Sequence, residues 1–122
     1  MERVCRILAV DNEPSVTTAF RFVFDGPRYD ITCVGSGADA LSRLDCSTPF
    51  DVIIVDQRMP QLTGLELVEE IRRRRIEGKI VVISANLPPD VAEAYKRMEV
   101  SLIVSKPFDI RQLRSAIEQL AA

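Results

Sequence analysis

The chain of 122 residues contains no histidine. Its absence excludes a Ser-His-Asp triad, a Cys-His pair and every metal site built on imidazole, so any metal must be held by oxygen. The three cysteines are odd in number and lack a CxxC spacing, which argues against a disulfide framework. We therefore expect Cys5, Cys33 and Cys46 to be buried, reduced thiols.

The sequence also has no strong charge of either sign and no long apolar run. A formal net charge of -2 provides no basic surface for nucleic acid. The longest apolar stretches, such as residues 80–85, are far shorter than a membrane span, and the opening residues MERVCRI are too charged for a signal peptide. With 47% apolar and 28% charged residues, the chain is expected to form one soluble cytoplasmic domain, residues 1–122.

Short runs of β-branched residues alternate with helical patterns along the chain. The runs are VCRILAV (4–10), DITCV (30–34), DVIIVD (51–56), KIVVIS (79–84) and SLIVS (101–105). Apolar residues at i, i+3, i+4 and i+7 predict helices after the first and fourth runs, and a capping box from Thr63 to Glu66 predicts the start of the third. A short second helix is predicted over residues 38–45, and a fifth begins after Asp109 as its cap.

Five strands that alternate with five helices predict an open, doubly wound α/β fold, in which a parallel sheet carries helices on both faces. The first, third and fourth runs are almost continuously apolar, which is typical of strands buried on both faces, and the more polar second run suits an edge. The run of four arginines, residues 72–75, falls in the last turn of the third helix. There it complements the helix dipole, and we expect it to pair with Glu69 and Glu70.

Polar side chains stand where the predicted strands end. In an open parallel sheet, ligands bind beyond the carboxyl ends of the strands. Each of these residues alone fits a solvated group, a helix cap or a turn. Together they supply oxygen ligands for Mg²⁺, a carboxylate nucleophile, a hydroxyl and an ammonium, a set that suits phosphoryl transfer to an aspartate. The candidate site residues are Asp11, Asn12, Asp56, Ser84 and Lys106, the last followed by Pro107.

Strand order decides whether these groups can meet. In the order 2-1-3-4-5, the third strand lies between the first and the fourth, about 4.8 Å from each. Asp56 would then lie beside Asp11 on one side and Ser84 on the other. The fifth strand lies two spacings away, a distance that only a long side chain such as that of Lys106 can cross.

The same residues make the whole chain resemble the receiver domain of response regulators in bacterial two-component signalling. Asp11 and Asn12 stand where the family has its acidic pocket. Asp56 in VDQRMPQLTG matches the phosphoacceptor, with a proline and a glycine following at the family's usual spacing. Ser84 in ISA matches the family's Ser/Thr, and Lys106 in SKPF matches its lysine.

This resemblance implies a flavodoxin-like fold and Mg²⁺-dependent transfer of a phosphoryl group to Asp56 from the phosphohistidine of a histidine kinase or phosphotransfer protein. It implies that the backbone carbonyl of Arg58 binds the metal beside Asp11, Asn12 and Asp56. An output domain or effector would read the change on the face of the fourth helix, fifth strand and fifth helix, and a homodimer through the last helices stays open. The chain would be a signalling protein that catalyses only its own phosphorylation and dephosphorylation.

Two positions depart from the family's pattern. The second acidic position is Asn12, so the pocket would hold two carboxylates where three are usual, and we expect weak Mg²⁺ binding that Asn12→Asp would tighten. Glu13 offers a substitute, but we expect it to face the start of the first helix and its dipole. The position of the family's aromatic switch is Ile103, which cannot make a ring movement. Coupling from Ser84 to the output face would then be weaker or carried by the backbone.

Other functional classes stay open. A pseudo-receiver would bind a partner without being phosphorylated, which Asn12 and Ile103 favour, although the other strand-end residues count against it. A phosphohydrolase that uses an aspartyl-phosphate would have a second Asp two residues after the nucleophile, where this chain has Arg58. A flavodoxin would have a Ser/Thr-rich phosphate loop in place of DNEPS, and the sequence has no glycine-rich P-loop.

Overall fold

The computed structural model describes residues 3–45 and 49–121. Strands and helices alternate along these residues, as the sequence predicts. The elements are β1 (Cys5–Val10), α1 (Pro14–Val23), β2 (Tyr29–Val34), α2 (Gly37–Leu44), β3 (Val52–Asp56), α3 (Gly64–Arg73), β4 (Lys79–Ser84), α4 (Pro89–Arg97), β5 (Leu102–Ser105) and α5 (Ile110–Ala121). Among the described residues, no helix has both the length and the apolar character that crossing a bilayer requires.

The five strands form one parallel sheet in the order β2-β1-β3-β4-β5. The predicted strand order and doubly wound α/β class are therefore confirmed. Every residue of β3 is buried, because this strand lies at the centre of the sheet with helices on both faces. β2 lies at one edge and is mostly half-buried, which confirms the placement predicted from its polarity.

Alternate residues of each strand point to opposite faces of the sheet and contribute side chains to two separate hydrophobic cores. One core packs α2, α3 and α4 against residues such as Ile53 and Val55. The other packs α1 and α5 against neighbours such as Ile54, with Phe20 of α1 and Ile117 of α5 fully buried. The apolar stripes predicted for these helices are the surfaces that cover the sheet.

Helices α3 and α5 begin at the polar residues that the sequence indicates. The Thr63 side chain accepts a hydrogen bond from the backbone N–H of Glu66, and the Glu66 carboxylate accepts one from the N–H of Thr63, which completes the predicted capping box. Asp109 accepts hydrogen bonds from the N–H groups of Arg111 at 2.8 Å and Gln112 at 3.4 Å, as expected of the cap of α5.

The arginine run at the end of α3 ties neighbouring helices together. Arg72 donates to the carbonyls of Met98, at 2.9 Å, and Glu99, at 3.3 Å, and so satisfies the C-terminal end of α4. The Arg74 guanidinium donates to Glu70 and, at 2.9 Å, to both carboxylate oxygens of Asp45 beyond α2.

One expected arginine pairing differs. Arg73 forms its ion pair with Glu70, one turn back at i,i+3, where we expected an i,i+4 pair with Glu69. Glu70 accepts from both Arg73 and Arg74, and these bonds lower its pKa to about 2.

For Cys5 and Cys33, the prediction of free thiols is confirmed and the prediction of burial is wrong. Cys5 and Cys33 are free thiols, yet both are half-buried. Cys5 begins β1, and Cys33 lies on the edge strand β2, where one side of the backbone has no neighbouring strand among residues 3–45 and 49–121. Cys46 lies outside the described residues.

Candidate functional site

The carboxyl edge of the sheet gathers the predicted site residues. β3 ends in Asp56, between β1, which is followed by Asp11, and β4, which ends in Ser84. Asp11, Asp56 and Ser84 are buried, with 2%, 2% and 6% of their surfaces exposed. Strand order alone explains the convergence, since neighbouring parallel strands end at the same edge.

Lys106 reaches the cluster from β5, two strands away from β3. Its ammonium nitrogen lies 3.4 Å from Asp56 Oδ1, 3.9 Å from Asp11 Oδ2 and 3.7 Å from Glu13 Oε1. The peptide bond between Lys106 and Pro107 is cis. The Lys106 side chain reaches Asp56, as its length predicts, and its ammonium also faces the carboxylates of Asp11 and Glu13.

Three carboxylates converge at this edge, where we expected two. One oxygen each from Asp11, Glu13 and Asp56 lies within 4.8 Å of the others. Asp11 Oδ1 accepts a hydrogen bond from the backbone N–H of Glu13 at 2.9 Å, so the chain turns back over the site immediately after β1. Glu13 is the N-cap residue of α1 but makes no side-chain cap bond. Its carboxylate thus lies at the helix start, as expected, but it also faces the Lys106 ammonium and the other two carboxylates.

The acidic cluster fits a hard divalent cation. Asp11 Oδ2 is buried and has no hydrogen-bond partner among the described residues. The Lys106 ammonium, 3.9 Å away, is too distant for a hydrogen bond. A buried carboxylate oxygen without a hydrogen bond is costly, and a metal ion removes that cost. With Asp56 and Glu13, Asp11 could supply three of the oxygen ligands that Mg²⁺ prefers, while the positions left over would be open to water and phosphate oxygens.

Burial raises the pKa of both central carboxyls. For Asp11, desolvation is the largest cause and the negative charge of Asp56 adds to it, while the hydrogen bond from the Glu13 N–H acts in the opposite direction. For Asp56, desolvation again dominates and raises the pKa, and the charge of Lys106 lowers it. Burial therefore disfavours the ionised form of both carboxyls, and a bound cation would stabilise that form.

The raised pKa values predict a pH dependence of stability when divalent cations are absent. Because the folded state holds protons on Asp11 and Asp56 more tightly than the unfolded chain does, their contribution to stability is fully present at acidic pH. It is lost as the pH rises through the raised values. We expect Asp56→Asn to be more stable than the wild type near neutral pH in EDTA, with the difference vanishing toward acidic pH. Urea denaturation at several pH values measures this, and equal stabilities at neutral pH would contradict it.

Two further metal ligands were expected from the sequence. Asn12 is exposed and lines a groove of about 180 Å³ beside Asp11, next to the carboxylate cluster. The backbone N–H of Arg58 donates to Asp56 Oδ1 at 3.4 Å, so this residue borders the site, with its side chain exposed. The roles of the Asn12 amide and the Arg58 carbonyl as ligands stay predictions.

The structure adds a contact that the sequence does not reveal. Tyr95 lies on the apolar stripe of α4, as predicted, and is fully buried. Its hydroxyl donates to the side-chain oxygen of Gln57, the residue directly after Asp56. Ile103, the expected switch position, is half-buried in β5 and packs against the same core as Tyr95. Helical periodicity predicts burial of the tyrosine ring, but it carries no signal for the partner of the hydroxyl.

Comparisons with known proteins agree on one family. The model of the response regulator receiver domain matches residues 7–118. The alkaline phosphatase synthesis transcriptional regulatory protein PhoP of Bacillus subtilis is 24% identical over 94% of this chain, which covers 48% of PhoP. The regulatory protein AtoC of Escherichia coli is 27% identical over 98% of this chain and 26% of its own length. The chain thus spans half or less of the length of these curated relatives.

Solved structures share the fold. A CheY-like receiver domain protein from Methanospirillum hungatei has a TM-score of 0.90 at 18% identity, covering 98% of this chain and 94% of its own. The response regulator protein TrrA from Thermotoga maritima, in complex with Mg²⁺-BeF, has a TM-score of 0.80 at 27% identity and covers 96% of this chain and 99% of its own.

Proposed function

Since the chain belongs to the family of response regulator receiver domains, we propose that it accepts a phosphoryl group on Asp56 and thereby changes its interaction with an output partner. The observation that carries the proposal is the surrounding of Asp56. This carboxylate is 2% exposed, lies 3.4 Å from the ammonium of Lys106 and shares its edge of the sheet with two other carboxylates. A solvated strand-end aspartate would need none of these features.

The donor group must lie outside these 122 residues, because they contain no histidine to carry the phosphoryl group. We propose the phosphohistidine of a histidine kinase or phosphotransfer protein. In the transfer, one carboxylate oxygen of Asp56 forms a bond to phosphorus and the phosphorus–nitrogen bond of the donor breaks. The electron pair of that bond stays on the donor's imidazole.

The residues around Asp56 then have separate roles. We propose that Lys106 holds phosphoryl oxygens with its ammonium and that Ser84, which ends the neighbouring strand, donates its hydroxyl to another. Mg²⁺, when bound, would neutralise charge on the phosphoryl oxygens. Its proposed ligands are Asp11, Asp56 and the Arg58 carbonyl, completed by the amide of Asn12 or the carboxylate of Glu13.

The third carboxylate changes the expectation for Mg²⁺ affinity. If Glu13 contributes its charge, the loss of one carboxylate at Asn12 is offset within the same cluster. The reduction in affinity expected from Asn12 alone is then smaller. What remains of the substitution is that the side chain next to Asp11, that of Asn12, is uncharged.

The output surface proposed for this domain is the face formed by α4, β5 and α5. β5 is the edge strand on that side, and three of its four residues are half-buried while Ser105 is exposed. A groove of about 360 Å³ between β5 and α5 includes Ile103 and Leu113. An output domain, a separate effector or a second copy of the chain could cover this face. We propose a cytoplasmic location on the same family grounds.

Uptake of a single phosphoryl group tests the proposal. Incubation with acetyl phosphate and Mg²⁺ is expected to add one phosphoryl group to the intact mass of the wild type. The Asp56→Asn variant, or the wild type in EDTA, is expected to add none. If neither acetyl phosphate nor a set of histidine kinases modifies the wild type, the proposal fails in favour of an interaction module that works without phosphorylation, which Asn12 and Ile103 would suit.

A further inference from the structure

The hydroxyl of Tyr95 joins α4 to the loop that follows Asp56. It donates to Gln57 Oε1. A second distance shows how close the hydroxyl lies to the start of α3: a Cβ added at Gly64 would be 3.0 Å from the Tyr95 oxygen. The hydroxyl therefore sits where β3 ends and α3 begins, although its own helix lies after the next strand.

Gln57 is held by three elements at once. Its backbone N–H donates to the carbonyl of Ile83 in β4 at 2.9 Å, and its carbonyl accepts from the N–H of Gly64 at the start of α3 at 3.0 Å. Its side chain is held by α4 through Tyr95. A displacement of α4 must therefore break this bond or move the residue between Asp56 and Arg58.

The neighbours of Gln57 are the groups that the proposed chemistry uses. Asp56 precedes it, and the N–H of Arg58 donates to Asp56 Oδ1 at 3.4 Å. The Arg58 carbonyl is the proposed backbone ligand of Mg²⁺. Small shifts of Gln57 thus change the position of both groups relative to the acidic cluster.

Packing alone does not require a tyrosine at this position. The ring is fully buried in the hydrophobic core under α2, α3 and α4, where phenylalanine would fill the same space. A buried hydroxyl is unfavourable unless it is hydrogen-bonded, so the bond to Gln57 is the feature that makes a tyrosine acceptable. The pKa of Tyr95 is raised, because of its burial and then because of the charge of Asp56, and the hydroxyl remains a donor.

We propose that Tyr95 is a positioning residue for the phosphorylation site. Acting through Gln57, it holds the loop of residues 57–63 so that the Arg58 backbone faces the metal and phosphoryl group, and it transmits the occupancy of the site to α4. This inference rests on the proposed function of Asp56. It gives α4 a polar connection to the site in a chain whose β5 has Ile103 at the switch position.

Removing the hydroxyl alone tests the inference. Tyr95→Phe is expected to raise the dissociation constant for Mg²⁺, measured calorimetrically with the metal alone, by about two- to tenfold, the range of one hydrogen bond. Gln57→Met is expected to do the same, because it removes the acceptor at similar length. The double variant should be no worse than either single variant, since all three lack the same bond.

The chain offers a matched control in its other tyrosine. The Tyr29 hydroxyl donates to Glu118 Oε1 at 2.6 Å, on the side of the sheet that carries α1 and α5. Tyr29→Phe makes the same chemical change and is expected to leave Mg²⁺ affinity within twofold of the wild type. A general loss of stability would affect both variants, whereas a positioning role affects only Tyr95→Phe.

A spectroscopic measurement tests transmission to α4. The chain has two tyrosines and no tryptophan, so Tyr95 is the only tyrosine that emits in the Tyr29→Phe variant. Its emission is expected to change on addition of Mg²⁺ and acetyl phosphate, and not to respond to acetyl phosphate when Asp56→Asn is added to this background. If the wild type binds Mg²⁺ and is phosphorylated, then equal affinities of the two Tyr→Phe variants, or an unchanged emission, overturn the inference alone. If the wild type does neither, the proposed function fails first and the inference falls with it.

Discussion

Lys106→Met is expected to slow the phosphorylation of Asp56 by about a hundredfold or more, the range for loss of one preorganised electrostatic group. Methionine keeps most of the length and the apolar stem of lysine but removes the ammonium that lies 3.4 Å from Asp56 Oδ1. The lysine side chain is only 20% exposed, so solvent screens its charge less than that of a surface group. Initial rates with acetyl phosphate and Mg²⁺, followed by intact mass, measure the effect.

The control for this variant is Lys79→Met. Lys79 is exposed and is the first residue of β4, at the amino-terminal ends of the strands and so at the far end from the site. Its loss is expected to leave the rate within about twofold. The Mg²⁺ affinity of Lys106→Met distinguishes loss of the lysine charge, which should raise the affinity, from loss of the fold, which should lower it. Without the ammonium, the three carboxylates attract a cation more strongly, and affinity for Mg²⁺ should rise in Lys106→Met while the rate falls. A rate within threefold of the wild type would contradict the role given to Lys106.

Gly64→Ala is expected to lower the free energy of unfolding by about 1–3 kcal/mol, the usual cost of forcing an extra methyl into packed structure. The added Cβ would lie 2.7 Å from the carbonyl oxygen of Asp56 and 2.7 Å from the Cα of Gln57. Both atoms belong to the backbone, so they cannot move aside as a flexible side chain does. Alanine is favoured over glycine within helices by about 1 kcal/mol, which opposes the effect but does not outweigh it.

Gly35→Ala is the control for the added methyl. In the described part of the chain, no heavy atom other than those of its two chain neighbours would lie within 4 Å of a Cβ at Gly35, and its backbone is not in the left-handed region. Its stability is expected to stay within about 0.5 kcal/mol of the wild type in urea denaturation. The close approach at Gly64 also predicts weaker Mg²⁺ binding in Gly64→Ala, because the loop after Asp56 must shift. Equal stability of the two variants would show that the β3–α3 loop yields easily.

The sequence predicts the parts of the site that depend on strand order. Asp11, Asp56 and Lys106 meet because parallel strands end at one edge, and that geometry follows from the alternation of strands and helices. The position of Glu13 depends on one backbone hydrogen bond to Asp11 Oδ1, which a pattern of residue types does not specify. The same limit applies to Tyr95, whose helical spacing determines where the ring lies but not what its hydroxyl meets.

The edge placement of Cys33 is a second example. Its apolar run predicts burial, but burial of a strand depends on whether neighbours lie on both of its sides. Of the strands that the structure describes, β2 pairs with β1 alone, so the thiol is half-buried. The polarity of the run as a whole predicts the edge position of β2, and the expectation for Cys33 is wrong because it takes the thiol's apolar neighbours alone as the guide to its burial.

The bonds that Arg72 makes to the carbonyls of Met98 and Glu99 give the two ends of α4 different freedom. The C-terminal end is anchored to α3 by a charged side chain, whereas the N-terminal end starts at Pro88 and Pro89 with no side-chain cap bond. Any displacement of α4 is therefore expected to be a rotation about its C-terminal end, with Pro89 travelling furthest. A partner that reads this helix would then detect a change of angle.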